Sequence, residues 1–346
     1  MPTVSQSISD HWIRTGVIVA TLLAVRSLIR HRREFDFRGK TTLVTGGSRG
    51  LGLILARELV AQGANVAVCA RDAGELERAQ SDLSRLRQDA RVLPLVCDLT
   101  QRQEVEHMVR SVQRQFSSID VLINNAGVIH VGPLEEMGIE DYEEAMKVNF
   151  WGALYVTLAA LPEMRRRRNG RIVNISSIGG KLSIPHLLPY SCSKFALTGL
   201  SEGLRAELAK DSIVVTTVCP GLMRTGSSRH AYFKGKHRAE HAWFSISDAL
   251  PVVSMNAEKA ARQILDACRQ GKAELVLTLS AQIAVLLHSL LPGSTVDLLG
   301  VINRLLPKPG GIGQRRLTGK ESTSIVSPSI LTTLNERAAR NYNQLP

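Results

Sequence analysis

The sequence predicts an α/β domain built on a doubly wound parallel sheet, and three features carry that expectation. Short, continuously apolar runs alternate with stretches of helical periodicity from residue 40 to about residue 275. Runs of that kind belong to strands buried on both faces by flanking helices. A glycine-rich loop joins the first apolar run to the first helical one, and no repeat or low-complexity linker divides the stretch. It reads as a single domain.

The elements follow in order. Thr41–Thr45 (TTLVT) is the first strand, and the loop Gly46–Gly52 follows it. Leu53–Gln62 then carries apolar residues at helical spacing and stops at Gly63. Asn65–Ala70 (NVAVCA) is the second strand, and Ala73–Gln88 is a helix with a polar face. Arg91–Cys97, Val121–Ile123, Arg171–Ser176 and Ile213–Cys219 continue the series, which makes six or seven strand–helix units.

The loop reads Thr45-Gly46-Gly47-Ser48-Arg49-Gly50-Leu51-Gly52, a GxxxGxG spacing. Gly46 permits the tight turn, Gly50 lets the backbone approach a pyrophosphate, and Gly52 lets the helix lie against the strand. The helix N-terminus offers unpaired N–H groups to that anion. A glycine-rich turn alone says little; one with a strand before it and a helix after it predicts a Rossmann-type dinucleotide site. An acid at the end of the second strand would select NAD through the ribose 2′-hydroxyl. Ala70 stands there instead, followed by Arg71, with Arg49 in the loop. Two arginines near that ribose favour a 2′-phosphate, so NADP(H) is expected over NAD(H). Asp72 lies one residue too late for the ribose acid.

Tyr190 and Lys194 stand four apart in YSCSK and share one helical face. A phenol titrates near pH 10, and an adjacent ammonium is expected to pull that value down toward acid–base use. Ser177 directly follows the strand run RIVNIS, where its hydroxyl could meet a substrate oxygen. A Tyr/Lys pair on a helix and a serine after a strand are each commonplace on their own.

Together these motifs resemble the short-chain dehydrogenase/reductase family over about residues 38–270. TGGSRGLG at 45–52 is similar to the family's cofactor loop, Asp98 to its adenine-contacting acid, and NNAG at 124–127, with Asn125, Ala126 and Gly127, to its sheet motif beside the cofactor. Asn149, Ser177, Tyr190 and Lys194 fill the family's four catalytic positions. Pro220-Gly221 with Thr225 resembles the segment around the nicotinamide carboxamide. The resemblance implies a hydride-transferring oxidoreductase that interconverts a ketone or aldehyde and an alcohol. Ser177 would polarise the carbonyl and Tyr190 would act as general acid or base. Lys194 would lower the tyrosine pKa and bind the nicotinamide ribose, and Asn149 would anchor a water beside Lys194. Homodimers or homotetramers are implied. Two other readings stand beside this one: a soluble NAD-linked alcohol dehydrogenase acting on a small substrate, and a catalytically silent NADP-binding scaffold. The presence of both Tyr190 and Lys194 argues against the scaffold.

The flanks set the expected location. The chain has 346 residues and a formal charge of +12, and its first and last forty residues each carry +4. Basic tails around a near-balanced body, without zinc-finger spacing or aromatic-interleaved basic strands, suit an anionic membrane surface and demote nucleic acid as a partner. Five widely spaced cysteines without a CxxC pair imply a reducing compartment and no structural metal. His230, His237 and His241 likewise lack metal spacing, so no metal site is expected.

Residues 1–37 read as an apolar and basic anchor segment. Its uncharged run between Arg14 and Arg26 is 11 residues, short for a span of about 20. Residues 12–29 could therefore anchor in the membrane, lie on it, or pack on the body. Arg30, Arg32 and Arg33 follow the run, which argues against a cleaved signal peptide and keeps the domain on the cytoplasmic side; a cytoplasmic enzyme is the alternative. The catalytic domain is expected over 38–274, with a variable substrate lid at about 222–250. Residues 275–306 form an apolar helical extension broken at Pro292-Gly293, and 307–346 a polar, basic tail extended or wrapped on the surface. The apolar extension and the anchor lean the substrate toward a hydrophobic lipid, steroid or retinoid-like molecule.

Overall fold

The computed structural model describes residues 35–250, 254–324 and 332–345. Seven parallel strands form the central sheet: β1 (Thr41–Thr45), β2 (Asn65–Ala70), β3 (Val92–Val96), β4 (Val121–Asn124), β5 (Gly170–Ile175), β6 (Ile213–Cys219) and β7 (Glu274–Val276). Their order is β3-β2-β1-β4-β5-β6-β7. The chain winds outward from β1 in one direction and from β4 in the other, so a crevice opens at the carboxyl ends of β1 and β4, where doubly wound sheets bind their ligands.

The continuously apolar strands are explained by what covers them. In β1, Leu43 faces one core and Val44 the other. The Val44 side packs against α1 (Gly50–Ala61), α2 (Ala73–Ser84) and α8 (Ala257–Arg269). The Leu43 side packs against α3 (Arg102–Phe116) and α5 (Gly152–Arg167). The remaining helices are α4 (Ile139–Met146), α6 (Leu188–Leu208), α7 (His237–Ala249), α9 (Leu279–Leu290), α10 (Pro292–Asn303) and α11 (Thr333–Asn341). The segment expected to form the lid holds α7 and the short strand Leu222–Arg224, which pairs with Ser254–Asn256.

Several boundaries differ from the sequence reading by a residue or more, and three differences change the packing. The second helix ends at Ser84 rather than Gln88, because Leu86 finds no core and stays exposed. Leu275 and Val276, assigned to the apolar extension, pair with Val218 and Cys219 and complete the sheet, so the domain runs past residue 274. The tail is not merely a surface wrap: α11 docks on the body, and Ala338 and Tyr342 join the core beside α1.

The extension itself is the helical pair α9 and α10, which part at Leu291 before Pro292. Most of the apolar side chains on the pair face outward; Leu279 is 71% exposed and Leu290 67%. Among the described residues, no helix is long and apolar enough to cross a membrane. The anchor reading of residues 12–29 lies outside the described residues.

Candidate active site

The glycine loop is locked to the end of β4. Thr45 Oγ1 accepts from the N–H groups of Asn125 (2.9 Å) and Ala126 (3.1 Å), and Asn125 Nδ2 donates to the carbonyls of Thr45 (3.0 Å) and Gly46 (3.2 Å). Gly46 sits at φ +63°, and a Cβ there would lie 2.9 Å from Ala126 Cα. A Cβ on Gly52 would fall 2.0 Å from the Gly46 carbonyl oxygen. Only hydrogen fits at either point. The loop therefore has the shape that a dinucleotide cradle needs, and Leu51 points into the core behind it.

At the adenosine end, a cavity of about 650 Å³ is lined by Arg71, Asp98, Thr100, Lys147 and Val148 among others. Asp98 turns its carboxylate back onto its own loop and accepts from the N–H (3.0 Å) and hydroxyl (2.9 Å) of Thr100. Arg71 lies exposed at this cavity. Arg49 does not stand free beside it. Its guanidinium pairs with Glu75, and Ser48 Oγ donates to the same carboxylate at 2.9 Å. Glu75 is held there because Asp72 caps α2 by accepting from the Glu75 N–H. These residues could line the adenosine end of a bound dinucleotide, in a cavity that Glu140, Asp141, Glu143 and Glu144 also border, and among the described residues Arg71 makes no ion pair.

The four catalytic candidates converge at the far end of the crevice. Ser177 follows β5; its Oγ accepts from the Gly179 N–H at 3.0 Å and is hydrogen-bonded to the Tyr190 hydroxyl. Tyr190 and Lys194 occupy the first two turns of α6, whose start Pro189 favours. Lys194 is buried, donates to the Ile175 carbonyl at 2.9 Å, and stands 5.7 Å from the centre of the Tyr190 ring. Asn149 sits in a π-helical turn, Lys147–Trp151, between α4 and α5. Such turns re-aim side chains and recur at functional sites. Here both Asn149 N–H donors are committed, to the Val128 carbonyl (3.1 Å) and Ser193 Oγ (2.8 Å), while its oxygen accepts from the Val128 N–H (2.8 Å). Asn149 and Lys194 meet at Gly127, where a Cβ would lie 3.0 Å from the amide oxygen and 3.5 Å from Nζ. Nearby, the Pro220 carbonyl accepts from the Ile178 N–H at 2.7 Å, which ties the Pro220-Gly221 segment to the Ser177 turn. Gly221 packs so closely on Thr278 that a Cβ would lie 2.5 Å from its hydroxyl, and Thr225 is buried a few residues on.

The expected lowering of the tyrosine pKa by Lys194 is not found. Burial pushes the Tyr190 phenol up to about 12 against the lowering hydrogen bond with Ser177, and the Asp248 carboxylate adds to the rise. Burial also pushes Lys194 down to about 8. With a value near 8 Lys194 keeps most of its charge at neutral pH, and its ammonium donates to the Ile175 carbonyl. At neutral pH the phenol holds its proton, as a general acid for carbonyl reduction must.

Three features escaped the sequence reading. Beneath the site, Asn124 donates to Thr157 Oγ1 (3.0 Å) and Asn174 Oδ1 (2.8 Å), and Asn174 donates to Ser201 Oγ (3.0 Å). An asparagine inside the apolar run RIVNIS was the available signal. His186 binds Glu240 (2.9 Å), which also accepts from Trp243 Nε1 (2.6 Å), and so pins the lid to the loop before Tyr190. Asp248, buried one turn beyond Phe244, had no signal: its run reads only as part of the variable lid segment. Burial pushes its carboxyl up to about 8. Among the described residues, no cluster of histidine, cysteine and acid could hold a metal.

A Rossmann sheet carrying this serine, tyrosine and lysine defines an NAD(P)-dependent oxidoreductase that acts on CH–OH/C=O pairs, and residues 40–233 match the family model for short chain dehydrogenase. The chain belongs to the short-chain dehydrogenase/reductase family. It is similar to Dehydrogenase/reductase SDR family protein 7-like of Anopheles gambiae, at 35% identity over 75% of this chain and 81% of that one. It is also similar to Dehydrogenase/reductase SDR family member 7B of Mus musculus, at 32% identity over 78% of this chain and 82% of that one. A crystal structure of a short-chain dehydrogenase from Streptomyces avermitilis superposes with a TM-score of 0.65 at 32% identity, covering 77% of this chain and 97% of that one.

Proposed function

We propose that the protein is an NADP(H)-preferring oxidoreductase that reduces the carbonyl of a hydrophobic, lipid-, steroid- or retinoid-like substrate, or oxidises the corresponding alcohol, at a membrane surface. The observation that carries the substrate class is the wall around the catalytic phenol. Tyr190 packs against an apolar cluster of Val131, Leu187, Phe233 and Phe244 with Trp243, much of it supplied by the lid. Such a wall excludes water and favours apolar substrates. The nicotinamide, when bound, supplies or accepts the hydride. Ser177 holds the substrate oxygen, Tyr190 gives it a proton, Lys194 supports the hydroxyl and the nicotinamide ribose, and Asn149 acts as a positioning residue that aligns Val128 and Ser193 beside them. Asn125, Ala126, Gly127, Pro220, Gly221 and Thr225 shape the nicotinamide end.

The exposed apolar pair α9–α10 and the basic flank at Arg30, Arg32 and Arg33 support membrane association with the catalytic domain on the cytoplasmic side. Exposed Trp151, Leu158 and Phe195, on or beside α5 and α6, are the surface that a homodimer or homotetramer would cover. The Arg49–Glu75 pair favours the NAD-linked runner-up, because it takes one arginine away from the 2′-phosphate. The cofactor preference therefore rests on Arg71 and on the missing acid at Ala70. Arg71→Ala is expected to weaken NADPH binding about tenfold or more, the worth of a charge-assisted contact, and to leave NADH binding within about twofold. Equal losses for both nucleotides, or none, would remove NADPH from the account.

A further inference from the structure

The C-terminal turn lies on the cofactor loop. The Tyr342 carbonyl accepts from the Gly50 N–H at 2.9 Å, which is the first free donor of α1 and one that a pyrophosphate would use. Asn343 Nδ2 donates to the carbonyls of Ser48 (2.8 Å) and Glu75 (3.0 Å), and its Oδ1 accepts from Arg78 Nε (2.8 Å). Gln344 is buried, and its Nε2 donates to the Thr225 carbonyl at 3.1 Å. The same nitrogen would lie 2.8 Å from a Cβ on Gly50, so it fills the hollow that the missing side chain leaves. Gln344 thus bridges Gly50, at the pyrophosphate end, and Thr225, at the nicotinamide end. Its Oε1, buried without a hydrogen-bond partner among the described residues, marks the fit as imperfect. Behind this turn α11 is well anchored: Asn335 accepts from the Gly226 N–H (2.9 Å) and donates to Ser228 (3.1 Å), and Arg229 pairs with Glu336 (3.2 Å).

We propose that residues 342–344 and the dinucleotide exclude one another, so that the chain's own C-terminus regulates access to the cofactor site. A strap that sealed a bound cofactor would leave the Gly50 N–H to the anion and would span the groove from above. This turn instead spends that donor on a carbonyl oxygen and places a side chain inside the groove. A phosphate approaching Gly50 meets a partial negative charge and an occupied volume. The dinucleotide therefore binds only the fraction of molecules whose turn has lifted, and the apparent dissociation constant is raised by that fraction. The proposal rests on dinucleotide binding at the glycine loop, not on which nucleotide is preferred.

Asn343→Gly in the full chain tests it. The variant removes three hydrogen bonds of the turn and keeps its backbone unstrained, since Asn343 already stands at φ +56°. Titrated by protein fluorescence, NADPH and NADH should each bind the variant several-fold to roughly tenfold more tightly than the wild type. A second measurement needs no variant. Trypsin cleavage after Arg340, followed by mass spectrometry, should run faster in wild-type protein saturated with NADPH, because the nucleotide lifts the turn. Unchanged affinity, weaker affinity, or protection of Arg340 by NADPH would overturn the proposal. If neither protein binds either nucleotide, the dinucleotide site itself fails and the proposal falls with it. Tightening in the variant alone, from no measurable binding in the wild type, would be its strongest support.

Discussion

Tyr190→Phe should lower kcat by about 10²- to 10⁴-fold, the usual worth of a positioned general acid, and leave NADPH affinity nearly unchanged. The separation follows from the geometry. The phenol hydroxyl meets Ser177 at the substrate end of the crevice, whereas the loop that would hold the pyrophosphate is fastened by Thr45 and Asn125 at the other end. Phenylalanine keeps the ring in its apolar cluster with Phe233 and Phe244, so the lid has no reason to repack. Only the proton and the hydrogen bond to Ser177 are lost. Rates from NADPH absorbance, with binding titrated separately, read the two effects apart. A variant that keeps its turnover would remove Tyr190 from the proton's path. One that loses nucleotide affinity in step with its rate would show a structural role instead.

Asp248→Asn should change how stability depends on pH. Burial raises the folded-state pKa of Asp248 from an ordinary 3.8 to about 8. Between those values the folded chain binds more protons than the unfolded one, so the native state loses stability as pH rises across the window. The cost is absent below the unfolded value and complete above about pH 8. Asparagine is neutral throughout. The melting temperature of the variant should therefore gain on the wild type from pH 5 to pH 8.5, by on the order of 5 °C or more. Burial pushes both His230 and His241 down to about 4, and they titrate alike in the two proteins and cancel in the difference. Because the Asp248 charge helps to raise the Tyr190 pKa, the rise of alcohol oxidation with pH, which follows ionisation of the phenol, should also move to lower pH in the variant. Parallel melting curves across the range would mean that Asp248 is solvated and ionised in the folded chain.

Much of the sheet was legible because each strand is covered on both faces and must be apolar throughout, as Leu43 and Val44 show by facing opposite cores. The last strand was not. Glu274–Val276 is short and opens with an exposed glutamate, and its hydrophobic part merges in sequence with α9. The site divides in the same way. Tyr190 and Lys194 share a face because four residues make about one helical turn, so their spacing alone places them together. The π-helical turn at Asn149 has no periodicity signature, and Asp248 gains its environment only when α7 folds close to Tyr190 at the start of α6. The pairing of Arg49 with Glu75 was equally hidden, since it joins residues 26 apart through a loop and a helix cap. The tail was the largest surprise. A polar run ending in NYNQLP reads as surface, yet its asparagine and glutamine supply the side-chain amides that match the carbonyls left open around the glycine loop.

The measurement that bears most directly on the proposed activity is NADPH oxidation by the wild-type protein, in the presence of lipid vesicles, against apolar ketones, steroids, retinal and small polar ketones, with NADH in parallel. The account predicts turnover of an apolar carbonyl with kcat/KM higher for NADPH than for NADH. Turnover confined to small polar carbonyls, or faster with NADH, would contradict it and leave the NAD-linked alcohol dehydrogenase in its place.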